Sequence, residues 1–211
     1  MNWTGMLWRS AISALVAIAG PMAVAHAGKA DDTLMVALQR GILSVDYHYT
    51  TKREYIILSE LTDDGLFYVQ PDTLKPVPAA AKSYKWIDDL TLDVEIRPGI
   101  KFHDGSPLTA DDVVYTYQWT LDPKNRTDRG KAYMEWLQGV ARTGPMSVRF
   151  KLKYTYPLAL TTLGRGIPLR RKGAFDADVA AGRIPSGQVL NGIGPYRLVK
   201  LDPGKSTLVE R

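Results

Sequence analysis

The stretch that decides the fold covers residues 95–115 and reads EIRPGIKFHDGSPLTADDVVY. It begins inside segment 91–97, where apolar and polar residues alternate as they do on a strand with one buried face. Asp104 and Gly105 then form the centre of a tight turn. This order predicts a strand that leads through a turn into the next element.

That next element is a helix. Thr109 is a favoured N-cap residue, and Asp112 lies three positions later, as a capping box requires. Apolar residues recur at helical spacing as far as about Leu121. Asp111 and Asp112 point about 100° apart on a helix, so they indicate capping and not a pair of catalytic carboxylates.

The flanking segments add further elements. Strands are predicted at 33–38, 66–69, 83–87, 147–153, 196–201 and 206–210, and helices at 54–62, 131–140 and 158–163. Segment 71–78 carries three prolines and is predicted to be irregular, and segment 170–188 to be a loop with one helical turn. Alternation with one apolar face at 91–97 and 147–153 favours an antiparallel sheet in a mixed α/β lobe. Trp136 is expected in its core.

The composition is that of a globular protein without thiol chemistry. The chain has 211 residues, 45% hydrophobic residues, a formal net charge of +5 and no cysteine. This excludes disulfides, thiolate metal sites, cysteine nucleophiles and a lipoprotein anchor. Basic residues are scattered apart from the cluster 170–172, so we expect no nucleic-acid partner.

Residues 1–27 read as a secretory signal peptide. Arg9 supplies the positive charge, an apolar run follows at 11–19, and residues 25–27 (AHA) fit a cleavage site. The run is shorter than the roughly 20 residues of a membrane-spanning helix. A retained N-terminal anchor is the alternative. We expect cleavage before Gly28 and a periplasmic protein without a stable membrane anchor.

The sequence offers no constellation for catalysis. His103 and Asp104 are adjacent in a turn, which makes them poor chelators of a metal. The chain contains no G-x-S-x-G motif, so a secreted hydrolase would have no recognisable nucleophile. We therefore expect a protein that is not an enzyme and that uses no cofactor and no metal.

Residues 95–115 strongly resemble the signature of the family 5 extracellular solute-binding proteins, which include oligopeptide, dipeptide and nickel binders. Shorter landmarks of that family occur in the same order, at 36–38, 74–81, 147–152 and 192–196. The last of these, GIGPY, is similar to the family's GTGPY turn. The resemblance extends over essentially all of the chain after the leader.

The resemblance implies a clamshell of the periplasmic-binding-protein type II class. A small-molecule or short-peptide ligand would bind between two lobes and be passed to the permease subunits of an ABC transporter. The implied organisation is a signal peptide at 1–27, a first segment of lobe I at 28–71, a small α/β lobe with a mostly antiparallel sheet at 72–186, and a return to lobe I at 187–211.

Length is one departure from the family pattern. Family members are typically more than twice as long as this chain, so we expect an incomplete clamshell that is either a fragment or the product of a truncated gene. The alternative to a peptide receptor is then a truncated remnant that binds no ligand.

The loop after the first strand is the candidate for ligand contact. It carries Tyr47, Tyr49 and Thr50, whose rings and hydroxyl groups suit a peptide. The family's loop lies near the ligand, but its usual LDP is replaced here by VDY at 45–47. Ordinary packing of the lobe remains the alternative role for these three residues.

Overall fold

The structure is a computed structural model that describes residues 34–43, 46–181 and 191–211. The predicted leader at 1–27 lies outside these ranges. The helices are a 3-10 turn at Tyr47–Tyr49, α1 Arg53–Thr62, α2 Ala110–Leu121, a 3-10 turn at Pro123–Asn125, α3 Asp128–Tyr133, α4 Ala159–Arg165 and α5 Asp176–Ala180. The strands are β1 Phe67–Val69, β2 Pro76–Pro78, β3 Ala81–Asp88, β4 Thr91–Ile96, β5 Leu137–Gly144, β6 Ser147–Leu152, β7 Arg197–Asp202 and β8 Ser206–Glu210.

A four-stranded antiparallel sheet forms the centre of the fold, in the order β3-β4-β6-β5. Val94 pairs with Val148 and Leu92 pairs with Phe150, so apolar residues of neighbouring strands share one face. The residues of β4 and β6 on this face are almost fully buried: Leu92, Val94, Ile96, Val148, Phe150 and Leu152. The predicted antiparallel sheet and the inward faces of both strands are therefore confirmed.

Helix α2 covers the buried face of the sheet. Tyr117 is fully buried and meets the ring of Phe150 edge-on, with 5.0 Å between the ring centroids. Its hydroxyl donates a hydrogen bond of 2.8 Å to the carbonyl of Leu163 in α4. A polar atom at this depth needs such a partner, so the bond fixes α4 against α2. Trp136 is also buried, as predicted.

The turn before α2 is held by its own side chains and by distant backbone. The carboxylate of Asp104 accepts hydrogen bonds from the amide and hydroxyl of Ser106. The amide of Gly192 donates to Nδ1 of His103, so Nε2 carries the proton and donates to the carbonyl of Gly194 at 3.0 Å. Asp104 thus shapes the turn, as predicted, and His103 ties the turn to residues 192–194.

A second apolar cluster lies around helix α1. It consists of buried Ile42, Tyr55 and Leu58, with Leu38, Leu198, Leu201 and Val209 packed against them. The antiparallel hairpin β7–β8 supplies the last three of these residues. If both segments belong to lobe I, as predicted, residues 38–58 and 198–209 must be in contact, and they are. The domain boundaries themselves stay predictions.

Two predicted elements are wrong. Residues 34–38 form no strand, although their apolar run has strand length. The helix predicted at 131–140 is also wrong, because α3 ends at Tyr133 and β5 begins at Leu137. Leu137 and Val140 are three positions apart, which is a helical spacing. The register shift between Leu137 and Gly139 gives both a place on the buried face of a strand, and pairing of β5 with β6 fixes that conformation.

Segment 71–78 is more regular than predicted. Pro76–Pro78 forms strand β2, which pairs antiparallel with β1 in a sheet of two strands. Proline lacks the amide hydrogen that a central strand needs, but both strands of such a pair have a free edge. Within the described ranges, no helix is long and apolar enough to cross a membrane.

Asp112 ties the start of α2 to the chain that follows α4. It is 5% exposed, and its carboxylate accepts hydrogen bonds from the amide and hydroxyl of Thr109 and from the amide of Lys172. We expect Asp112→Ala to lower the free energy of unfolding by about 2–4 kcal/mol, because the buried capping carboxylate is lost and three donors lose their acceptor. Urea unfolding followed by tryptophan fluorescence measures this change.

Its neighbour Asp111 provides the matched control. Asp111 forms a solvent-exposed ion pair with Arg142 at 3.1 Å. Asp111→Ala should cost less than about 1 kcal/mol, as exposed pairs usually do. Equal losses in the two variants would contradict the role assigned to Asp112.

Candidate functional site

The candidate loop comprises residues 46–50 and contains one 3-10 turn at Tyr47–Tyr49. Asp46 caps this turn, because its carboxylate accepts a hydrogen bond of 2.9 Å from the amide of His48. The amide of Tyr49 donates to the carbonyl of Asp46 at 3.3 Å. Aspartate favours such local turns, since its short side chain reaches the backbone two residues on.

A buried ionic cluster lies beneath the loop. Nη1 of Arg170 contacts a carboxylate oxygen of Asp63 at 2.5 Å, and Nη2 lies 3.5 Å from a carboxylate oxygen of Asp46. All three residues are at most 5% exposed. The guanidinium therefore joins the end of α1 to the first residue of the candidate loop.

Asp46 and Arg170 stay charged despite their burial. Burial opposes ionisation of Asp46, but Arg170 and the hydrogen bonds from His48 overcome it and hold the pKa of Asp46 well below its usual range. Burial also disfavours the charge on Arg170, yet Asp63 and Asp46 together raise the pKa of Arg170 above its ordinary value. The contact between Arg170 and Asp46 is thus ionic at every physiological pH.

His48 lies next to this cluster and is fully buried. Its Nδ1 is 3.0 Å from the carboxylate of Asp46, and its ring meets the edge of Phe175 at 5.7 Å. Its Nε2 has no hydrogen-bond partner among the residues that the structure describes. The His48 ring therefore lies between the ionic cluster and a cluster of aromatic side chains that includes Phe175.

The aromatic cluster holds Tyr49. Nε1 of Trp119 donates a hydrogen bond of 2.9 Å to the hydroxyl of Tyr49. The ring of Phe175 lies 4.8 Å from that of Trp119, and the ring of Tyr115 stacks on Phe175 at 6.2 Å. Burial raises the pKa of Tyr49 to about 12, with the Trp119 hydrogen bond working against that rise. The phenol is therefore neutral and able to form hydrogen bonds.

Arg129 of α3 holds the two ends of the 3-10 turn. Its Nε donates to the carbonyl of Tyr47 at 3.2 Å, and its Nη2 donates to the carbonyl of Thr50 at 3.1 Å. The guanidinium carbon also lies 3.6 Å from the centre of the Tyr47 ring. The loop is thus fixed by hydrogen bonds to its backbone as well as by ionic contacts.

A cleft of about 390 Å³ adjoins the loop, and Tyr47 forms part of its wall. Helix α1 contributes Glu60, and the segment after α1 contributes Asp64 and the exposed ring of Tyr68. Asp64 is exposed at the cleft, but partial loss of hydration together with the charges of Asp63 and Glu60 raises the pKa of Asp64 to about 6. Above about pH 6, Asp64 therefore adds a negative charge to one wall of the cleft.

The structure assigns different surroundings to the three predicted ligand residues. Tyr47 lines the cleft, although little of its surface is exposed, and Tyr49 is half-buried in the aromatic cluster. Thr50 is buried, and its hydroxyl accepts a hydrogen bond from the amide of Lys52. The hydroxyl contact of Thr50 is thus a local one, and ligand contact by these three residues stays a prediction.

Sequence reasoning missed the residues that support the loop, namely Trp119, Arg129 and Arg170. Arg170 belongs to a cluster of three basic residues, which reads as a charged surface. The one available signal was its position directly after the apolar residues 167–169, which are buried. A charged residue that continues a buried run is a candidate for a buried ion pair.

Comparison with known proteins places these features in a family. Residues 75–211 match the family described as bacterial extracellular solute-binding proteins, family 5 Middle. The oligopeptide-binding protein AppA of Bacillus subtilis is 49% identical over 75 residues, which are 35% of this chain and 14% of AppA.

Solved structures give a similar result. AppA of Bacillus subtilis in complex with a nonapeptide has a TM-score of 0.68 and 29% identity, and the match covers 79% of this chain and 34% of AppA. NikZ of Campylobacter jejuni in complex with Ni(L-His) has a TM-score of 0.65 and 25% identity, with coverage of 76% and 31%. The chain spans about a third of these solved proteins. The predicted fold class, part of a type II periplasmic-binding-protein clamshell, is confirmed.

Removal of Arg170 tests the ionic cluster. We expect Arg170→Met to lower the free energy of unfolding by about 3–5 kcal/mol, because Asp46 and Asp63 would remain buried without their cation. Arg171→Met is the matched control, since Arg171 is exposed and pairs only at the surface with Asp104. Its loss should stay below about 1 kcal/mol in the same urea titration. Similar midpoints for both variants would disprove the assignment.

The pH dependence of stability tests Asp46 separately. The pKa of Asp46 is lowered in the folded state, so its stabilising contribution is fully present above the unfolded pKa of about 3.9 and is lost as pH falls below it. The stability difference between the unmodified protein and Asp46→Asn should be greatest above about pH 5 and narrow towards pH 3. Urea titrations at fixed pH values measure it, and a constant difference would contradict the argument.

Proposed function

The chain belongs to the bacterial extracellular solute-binding proteins of family 5, and from that membership we propose that it is the peptide-binding component of an ABC transporter. It would bind its ligand outside the cytoplasm and deliver it to the permease subunits of the transporter. The observation that carries the proposal is the family match over residues 75–211, which includes the whole stretch at 95–115.

Membership also bears on reaction type and location. The relatives named above are binding proteins and not enzymes, and binding without conversion is the function proposed here. Proteins of this family are extracytoplasmic. We propose that residues 1–27 direct export, that cleavage leaves Gly28 as the first residue, and that the protein acts in the periplasm.

Two features support a peptide as the ligand. The relative AppA is called an oligopeptide-binding protein, and its solved structure contains a nonapeptide. The candidate loop places the ring edge of Tyr47 in the cleft wall, and the half-buried Tyr49 keeps a hydroxyl proton that it could donate to a peptide carbonyl. Thr50 would serve this site by completing the loop.

The loop would act as one wall of a site that closes by movement of the lobes. Closure around a ligand lowers the rate at which the ligand escapes and gives the permease a distinct bound state to recognise. In the proposed organisation the loop belongs to the first segment of lobe I, at 28–71. The side chains that hold it come from the proposed small lobe at 72–186.

Calorimetry with the intact gene product tests the proposal. The panel comprises dialanine, trialanine, a nonapeptide and Ni(L-His). We expect at least one peptide to bind with a dissociation constant of about 1 μM or lower, and Tyr49→Ala to weaken that binding at least about tenfold. Tyr154→Ala is the control, since this tyrosine is 51% exposed and lies outside the loop.

The outcomes separate the candidate functions. A folded protein that binds none of the peptides would refute the peptide receptor and favour the non-binding remnant. Binding of Ni(L-His) alone would replace the peptide by a metal chelate as the ligand. Equal peptide affinities for the Tyr49 and Tyr154 variants would show that the ligand lies elsewhere.

A further inference from the structure

Arg129 has contacts that neither the apolar core nor the proposed ligand contacts account for. Its side chain is only 2% exposed and reaches from α3 to the candidate loop. Burial of a guanidinium is costly unless hydrogen bonds replace its lost hydration. Here the carbonyls of Tyr47 and Thr50 accept two of those bonds, at 3.2 and 3.1 Å. The guanidinium of Arg129 therefore replaces part of its hydration with hydrogen bonds to the loop.

The geometry of these bonds fixes the backbone of the loop. The two carbonyls lie at the beginning and just past the end of the 3-10 turn, three residues apart. A guanidinium presents its N–H groups in one rigid plane, so both carbonyls must take up defined positions relative to it. A lysine ammonium is a single point charge and cannot reproduce this paired arrangement.

The same side chain orients the ring of Tyr47. The guanidinium carbon lies 3.6 Å from the centre of that ring and 4.9 Å from the centre of the Tyr133 ring. A cation over an aromatic face is attracted to it, and the attraction is stronger where water is excluded. Because Tyr47 forms part of the cleft wall, Arg129 also sets the shape of that wall.

Helix α3 gives Arg129 a fixed starting point. The hydroxyl of Thr127 accepts a bond from the amide of Gly130 at 3.0 Å and donates one to the carbonyl of Thr120 at 3.2 Å. Gly130 lies so close to Thr120 that a Cβ at position 130 would overlap its carbonyl. These contacts fix the start of helix α3 against the end of α2, and Arg129 lies in this part of α3.

We propose that Arg129 is the positioning residue of the candidate loop and gives it its binding shape before a ligand arrives. A loop that is ordered in advance avoids the entropic cost of ordering on binding. The consequence for ligand affinity rests on the function proposed above, whereas the effect on the loop itself does not. Arg129 need not touch the ligand to have either effect.

Amide hydrogen exchange of the intact gene product tests this role without a ligand. The variants are Arg129→Lys, which keeps the charge, and Arg129→Met, which removes it. In both, we expect the amides of residues 47–50 to exchange at least about tenfold faster, while those of β4 and β6 keep their rates. Arg142→Met removes an exposed arginine of the same lobe and should match the unmodified protein.

Calorimetry with trialanine and the nonapeptide adds the functional readout. For any probe that the unmodified protein binds, Arg129→Lys should weaken affinity about tenfold with no comparable loss in Arg142→Met. Unchanged exchange at 47–50 in Arg129→Lys would overturn the proposal, and so would equal acceleration in the loop and the sheet. Faster exchange with unchanged affinity would refute its consequence for binding. If the unmodified protein binds neither probe, the proposed function fails, and the exchange rates still decide the role of Arg129.

Discussion

The contact of Arg170 with Asp63 and Asp46 is the constraint on which the arrangement around the candidate loop depends. It brings together the end of α1, the chain after α4 and the first residue of the loop. The backbone of Arg170 is fixed as well, because its amide and carbonyl both bond to the hydroxyl of Thr116 in α2. One residue therefore sets the relative positions of four segments.

Such a cluster specifies a structure more than it stabilises one. Removing three charged groups from water costs roughly as much as their mutual attraction returns. However, an arrangement that left either carboxylate buried without Arg170 would be far less stable. We infer that the ionic cluster makes other positions of the loop unfavourable. The apolar core of the sheet provides most of the free energy of folding, and the directional polar contacts at the border of that core fix where the loop lies.

Regular elements with one buried face could be predicted from the sequence. Strands β4 and β6 alternate with period two, and α2 combines a 3.6-residue period with a capping residue at Thr109. These signals are local, since they depend on residues within a few positions of one another. Strand β5 could not be predicted in this way, because its pairing with β6 decides its conformation.

The support of the candidate site could not be predicted because it depends on distant pairs. Arg170 and Asp63 are 107 positions apart, and nothing in either local sequence indicates the other. Arg170 and Arg171 are identical neighbours in the sequence, yet one is buried in an ionic cluster and the other is exposed. Tyr47 and Tyr49 could be proposed as ligand contacts from the sequence only because the chain resembles a family whose corresponding loop lies near the ligand.

This dependence on distant pairs has a consequence for a solute-binding protein. In the predicted organisation the loop is part of the first segment of lobe I, whereas its anchors Trp119, Arg129 and Arg170 all come from the predicted small lobe. A change of loop shape must therefore break contacts with that lobe. The anchors engage the loop through one hydroxyl, two carbonyls, one carboxylate and the face of the Tyr47 ring. Both the backbone of the site and this ring are therefore positioned by contacts that are distant in the sequence.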